Sequence, residues 1–180
     1  GTLSIASGRT LDIDGTLNWT GGSTISGAGL LLLSDGSVNT FSANSVGGHL
    51  VLSGVTVNNA GTVNYLSDGR SLLLNDGSVL NNTGRFNFAS DGVVSETSGG
   101  GGNFNNSGTL AKTGGTGISG FASLARLVDQ DGSYRGESGT LQLASLGNLN
   151  GLMHIAAGAT ITTASGLTNT GSIEGSGTLN

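Results

Sequence analysis

The sequence predicts an all-β chain wound as a parallel β-solenoid, and three observations carry that reading. A block of two polar residues, a variable residue and Gly, followed by an alternating apolar strand, keeps returning. Short apolar bursts of period two are bounded throughout by turn-forming residues. The 180 residues include 35 Gly and no Pro, with only 9% charged side chains.

The recurring block reads Asn58-Asn59-Ala60-Gly61, Asn81-Asn82-Thr83-Gly84, Asn105-Asn106-Ser107-Gly108 and Thr168-Asn169-Thr170-Gly171, and its first three copies start 23 and 24 residues apart. A second motif recurs at 41 residues, with Leu31-Leu32-Leu33-Ser34-Asp35-Gly36-Ser37-Val38 echoed by Leu72-Leu73-Leu74-Asn75-Asp76-Gly77-Ser78-Val79. Imperfect repetition near 20–25 residues is the mark of a unit that cannot bury its apolar face alone and stacks on its neighbours instead.

Leu3/Ile5, Leu11/Ile13, Leu17/Trp19, Val55/Val57, Val63/Tyr65, Phe86/Phe88 and Leu141/Leu143 each place two apolar side chains on one face of a strand. Gly, Asn, Asp and Ser close each burst through positive φ or side-chain-to-backbone hydrogen bonds. Asp-Gly stands at 35–36, 68–69, 76–77, 91–92 and 131–132. In isolation Asp-Gly signals a hairpin; the long apolar period makes these pairs corners between successive coils. Stacked coils pair equivalent strands in parallel about 4.8 Å apart, so the chain should make roughly seven to nine coils, a rod about 35–45 Å long. Right-handed winding is favoured by the general handedness of parallel crossovers. Inward Leu, Ile, Val and Phe should form ladders along the axis, and Asn at equivalent corners should form amide ladders. The absence of Pro leaves nearly every backbone N–H free to join them.

An irregular insertion near 93–139 breaks this rhythm. Ser98-Gly99-Gly100-Gly101-Gly102-Asn103 reads as a loop or wide corner. Phe121–Val128 spaces Leu124, Leu127 and Val128 at i, i+3 and i+4, which fits one or two helical turns; a longer coil with a bulged strand fits equally. The whole of 1–180 reads as one solenoid domain, a mature or excised segment of a longer chain or a filament subunit.

Leu, Ile, Val and Phe make up about a quarter of the chain, above the roughly 20% below which disorder is the default. No Cys means no disulfide framework and no thiolate zinc site. The longest apolar run, Leu30–Leu33, is far below a membrane span, and no basic segment precedes an apolar one as in a signal peptide. A net charge of −5 speaks against nucleic acid.

Candidate chemistry is sparse. Asp129-Gln130-Asp131 with Arg126 and Arg135 is the best acidic–basic cluster, able to meet a cation or a sugar through carboxylate oxygens or simply to form a neutralised loop. Asp12 and Asp14 share a strand face. The Asp-Gly pairs lack the tandem Gly-Gly-x-Gly-x-Asp pattern of calcium-binding coils and the alternating carboxylates of an EF-hand. His49 and His154 have no metal-ligand spacing, and neither a nucleophile elbow with plausible His and Asp partners nor a P-loop is present. Trp19 and Tyr65 sit two residues from inward apolar partners and read as core. Thr rows such as Thr160-Ile161-Thr162 do not persist from coil to coil, which disfavours an ice-binding surface. Asn18-Trp19-Thr20, Asn81-Asn82-Thr83 and Asn105-Asn106-Ser107 match the glycosylation acceptor pattern as an Asn-rich composition would produce by itself.

Phe104-Asn105-Asn106-Ser107-Gly108-Thr109-Leu110-Ala111-Lys112-Thr113-Gly114-Gly115, then Ser138-Gly139-Thr140-Leu141-Gln142-Leu143, and Leu167 to Asn180 resemble the repeats of bacterial surface β-helix proteins: long autotransporter passengers and filamentous-haemagglutinin-like adhesins. The resemblance implies a right-handed parallel β-helix exported and displayed outside the cell, and it carries over no catalytic residue. The irregularity at 93–139 and the lack of a visible secretion or anchoring domain depart from the family's pattern.

The expected function is therefore an extracellular, non-enzymatic stalk, filament subunit or adhesin shaft without catalytic, cofactor or metal residues. Its expected partners are further copies along the axis, neighbouring domains of the same chain, or host or matrix glycans. A carbohydrate-binding or carbohydrate-cleaving passenger using Arg126, Asp129, Asp131 and Arg135 is the alternative, as is a phage or viral fibre segment.

Overall fold

The computed structural model describes residues 1–97, 100–122, 126–143, 146–163 and 167–180. Each circuit of the chain lays one short strand on each of three parallel sheets and then climbs to the next layer. The first circuit uses Thr2–Ser4, Thr10–Ile13 and Asn18–Thr20, and the second Thr24–Ser26, Leu30–Leu33 and Val38–Ala43. Strands of the first kind make a nine-stranded sheet, those of the second a six-stranded sheet with a separate two-stranded continuation, and those of the third an eight-stranded sheet. The fold is thus a β-solenoid. The eight-stranded sheet takes seven steps, so the coil advances about 34 Å between its first and last strands at the usual interstrand spacing. Among the described residues there is no helix.

Period two decides what lies inside. In Thr62–Ser67 the alternation buries Val63 and Tyr65, and in Arg85–Phe88 it buries Phe86 and Phe88. Parallel register then stacks like on like: Val57, Leu80, Phe104 and Leu127 follow one another in the six-stranded sheet, while Phe41, Tyr65 and Phe88 do so in the eight-stranded sheet. Trp19 is also core, edge-on to Phe41 at 5.0 Å, as its inward position requires. Because corresponding layers differ by 23 or 24 residues here, the asparagines of the recurring block fall into register and form ladders. Asn59 Nδ2 donates to Asn82 Oδ1 at 2.7 Å, and Asn82 Nδ2 donates to Asn106 Oδ1 at 2.8 Å, all three fully buried. The second amide hydrogens reach the carbonyls of Arg85 and Thr109, both at 3.1 Å. A parallel outer row runs the other way, from Asn105 to Asn81 and from Asn81 to Asn58. The inner ladder begins at Asn59 because Leu33, its neighbour below, has nothing to donate; Asn59 Oδ1 is left without a hydrogen bond.

The Asp-Gly pairs lie at or beside corners, not in hairpins. Asn75-Asp76-Gly77-Ser78 closes with Ser78 N–H donating to the Asn75 carbonyl at 3.0 Å, and Asp76 and Gly77 both take positive φ. Several corner and strand-end carboxylates pin adjacent layers: Ser34 Oγ donates to Asp12 and Ser53 Oγ to Asp76, at 2.6 and 2.5 Å. The described part of 93–139 keeps the three-sheet path, with strands Val93–Ser95, Asn103–Asn106, Thr109–Lys112, Ile118–Phe121, Arg126–Asp129 and Ser133–Gly136. Its irregularity lies in the corners. The buried Glu96 carboxylate accepts the amides of Gly101 and Gly102. Of the segment read as helix or bulged strand, Phe121 and Arg126–Val128 are in strands, and Leu124 lies outside the described residues.

Candidate functional site

The sequence-selected cluster sits where the six-stranded sheet stops. Arg126–Asp129 is its last strand, and Asn148–Leu149 opens the separate two-stranded continuation. Between them lies a depression of about 250 Å³ lined by Arg126, Asp129, Leu146, Asn148 and Asn150, among others. Arg126 and Asp129 therefore share one surface. Asp131 and Arg135 do not line it. Asp131 occupies the following corner with φ +63°, and Arg135 Nε donates to Glu137 at 3.1 Å, beside the Arg85–Glu137 pair at 3.3 Å.

Asp129 replaces the ladder asparagine of the layer below, being in register with Asn106. Its carboxylate is engaged by the protein three times. Oδ1 accepts the Gly132 amide at 3.0 Å and the Tyr134 hydroxyl at 2.9 Å, and Oδ2 accepts the Asn150 amide at 3.0 Å. Burial and the adjacent Asp129 charge push the Tyr134 hydroxyl far above its ordinary pKa, so it remains a donor. These bonds make Asp129 a splice between two layers, with Arg126 as the exposed charge at the rim.

A second polar centre was not selected from the sequence. Lys112 occupies the inward position stacked above Phe88 and its side chain is fully buried. Its ammonium donates to Asp91 Oδ1 at 2.8 Å, to the Gly114 carbonyl at 2.7 Å and to Ser119 Oγ at 3.1 Å. Hydrogen bonding from Lys112, aided by the Gly117 amide, holds the Asp91 carboxyl below its ordinary range despite partial desolvation. The signal for this centre was available, since the alternation that turns Leu110 inward also turns Lys112 inward. The geometry is that of a buried cation paired at its exit, with all three ammonium hydrogens used.

The outer face of the six-stranded sheet carries the Asn58, Asn81 and Asn105 row within a shallow depression of about 440 Å³. Of the remaining candidates, His49 Nδ1 accepts the Ser71 amide at 3.0 Å, and His154 lies 3.3 Å from Glu174 on the exposed surface. Among the described residues no three His, Asp or Glu side chains gather as metal ligands would, and no helix is long and apolar enough to cross a membrane. Comparison with known proteins finds no matching family model, no matching curated protein and no matching solved structure.

Proposed function

We propose that this chain is a structural module of a bacterial surface, an extracellular and non-enzymatic β-solenoid acting as a stalk, filament subunit or adhesin shaft. The supporting observation is the unbroken stacking of the eight-stranded sheet, in which every inner strand is hydrogen-bonded on both edges. Its inner positions are largely apolar and belong to one hydrophobic core, with Lys112 the buried charge among them. Separating two layers must break a row of backbone bonds on each sheet and wet that core, so the fold resists load along its axis. Low charge removes axial repulsion between layers.

The terminal layers leave Leu3, Ile173 and Leu179 about 40% exposed although their partners in the next layer, Ile25, Met153 and Ile161, are buried. Such faces favour continuation of the stack by further layers, whether from neighbouring segments of one chain or from a second copy head to tail. Sedimentation velocity over a concentration series, with cryo-microscopy of the heaviest species, tests this. Axial assemblies with a layer spacing of about 4.8 Å are expected. A chain that stays monomeric at high concentration would contradict head-to-tail assembly. Surface location is tested by antibody access on intact source cells, where labelling only after lysis would overturn it.

A glycan-binding passenger is the second reading, favoured by the depression that Arg126 shares with Asn148 and Asn150. Glycan-array signals unchanged by joint Arg126→Ala and Asn148→Ala substitution would end it.

A further inference from the structure

We propose that Asn150 is a self-modifying site, at which the backbone nitrogen of Gly151 closes on the Asn150 side chain, expels ammonia and leaves an aspartyl or isoaspartyl residue. Asn150-Gly151 is the single Asn-Gly pair in the chain. Glycine is enforced there by the layer below, because a Cβ at 151 would lie 2.0 Å from the Gly132 carbonyl oxygen. That same lack of a side chain leaves the nitrogen sterically open.

The equivalent corner glycines have their amides tied down. Gly61 donates to the Leu33 carbonyl, Gly84 to Asn59, Gly108 to Asn82 and Gly171 to Leu149, at 2.9–3.2 Å, while Gly132 donates to Asp129 Oδ1. Gly151 N–H has no hydrogen bond among the described residues. The reason is one extra residue in the corner below. Asn106 and Gly108 are separated by Ser107 alone, whereas Asp129 and Gly132 are separated by Gln130 and Asp131, with Asp131 at φ +63°. The widened corner breaks the pattern in which one carbonyl receives two successive amides, as Asn59 receives Thr83 and Gly84. Asn150 instead donates to the Asp129 carboxylate, and Gly151 is left over.

The electrophile is also held. Thr170 Oγ1 donates to Asn150 Oδ1 at 2.8 Å, fixing the side-chain carbonyl and drawing electron density from its carbon. Asn150 itself is exposed, so hydroxide and water reach it. The Gly151 amide gives its proton to hydroxide, and its nitrogen bonds to Asn150 Cγ. The Cγ–Nδ2 bond then breaks, and ammonia leaves with a proton from water. Water opens the resulting five-membered imide at either carbonyl. The net change is addition of one water and loss of one ammonia, without oxidant or reductant. The isoaspartyl product adds a methylene to the main chain at a corner whose register depends on its length, which loosens the layers beyond it.

The test is to hold the full-length folded chain at mildly alkaline pH in oxygen-18 water and map its peptides by mass spectrometry. Asn150 should gain about 1 Da plus the label ahead of every other asparagine, with isoaspartate identified by fragmentation. Thr170→Val should slow that gain in a chain of unchanged circular dichroism, and Asn150→Gln should abolish it. Conversion of other asparagines before Asn150, or conversion of Asn150 only once the chain is unfolded, would overturn the proposal.

Discussion

The layers between about residues 50 and 122 and those beyond residue 146 follow the same three-sheet path, yet they are filled differently. In the first region Tyr65, Phe86, Phe88, Phe104 and Phe121 form a continuous cluster of tilted and edge-to-face rings with centroids 5.1–6.2 Å apart. Two asparagine ladders run along the six-stranded sheet in these layers at spacings of 23 and 24 residues. In the second region the cross-layer contacts His154–Glu174 and Thr170–Asn150 span only 20 residues. The coil is shorter, so it encloses less volume. Met153, Ile155 and Ile161 are among its buried side chains, Leu149 is in register with Asn169, and among the described residues no buried amide ladder forms there. In these two regions the longer coil goes with aromatic filling and the shorter one with aliphatic filling. The central region should be the more stable, and five substitutions probe that difference.

Phe86→Ala has the largest expected effect. It removes a fully buried ring that contacts three others and should cost about 3–5 kcal/mol, read as a shift in denaturant midpoint. Asn82→Ala follows. It strands the Asn59 donor, the Asn106 acceptor and the Thr109 carbonyl in the core, for about 2–3 kcal/mol. A loss well below 1 kcal/mol would show that water replaces the rung.

Asp91→Ala comes third and is asymmetric with its partner. It leaves the buried Lys112 ammonium short of its counter-charge and should cost about 2 kcal/mol, less than a fully enclosed pair because the Asp91 side chain is 46% exposed. Lys112→Met leaves only a half-exposed carboxylate and should cost less. The pair also sets an acid limb. The folded Asp91 carboxyl lies below its ordinary value of 3.8, so its contribution is complete above the unfolded value and disappears as pH falls through the lower folded value. The gap between acid titrations of wild type and Lys112→Met should therefore close as pH falls through that lower folded value. Curves that stay parallel would remove the linkage. Ile173→Ala is the smallest, under about 1 kcal/mol, since that side chain is already 41% exposed.

Much of this was legible in the sequence, for identifiable reasons. The Asn-Asn-x-Gly spacing equals the layer spacing, so the text itself announces which amides will meet. Period two placed Trp19 and Tyr65 in the core. The 41-residue echo is a different kind of repeat. Leu30–Leu33 belongs to the six-stranded sheet and Ser71–Asn75 to the nine-stranded one, although each is followed by a turn closed by the same backbone bond, Ser37 to Ser34 and Ser78 to Asn75. Local sequence specifies a strand and its corner; which sheet receives them depends on how many corners came before. For the same reason Asp129 reads as half of an acidic cluster, whereas its partner amides on Gly132 and Asn150 depend on an extra corner residue and a contact 21 positions away. Lys112 was readable from alternation, but its pairing with Asp91 spans a layer and has no local signature.

On the proposed structural role, resistance to load should vary along the stack, which is read by pulling single molecules by their two ends with an atomic force microscope. A staircase of extensions is expected, in which the short layers beyond residue 146 yield first at low force and the aromatic, amide-laddered layers yield last at the highest force. Collapse of the whole chain in one low-force step, or rupture of the central layers before the C-terminal ones, would contradict it.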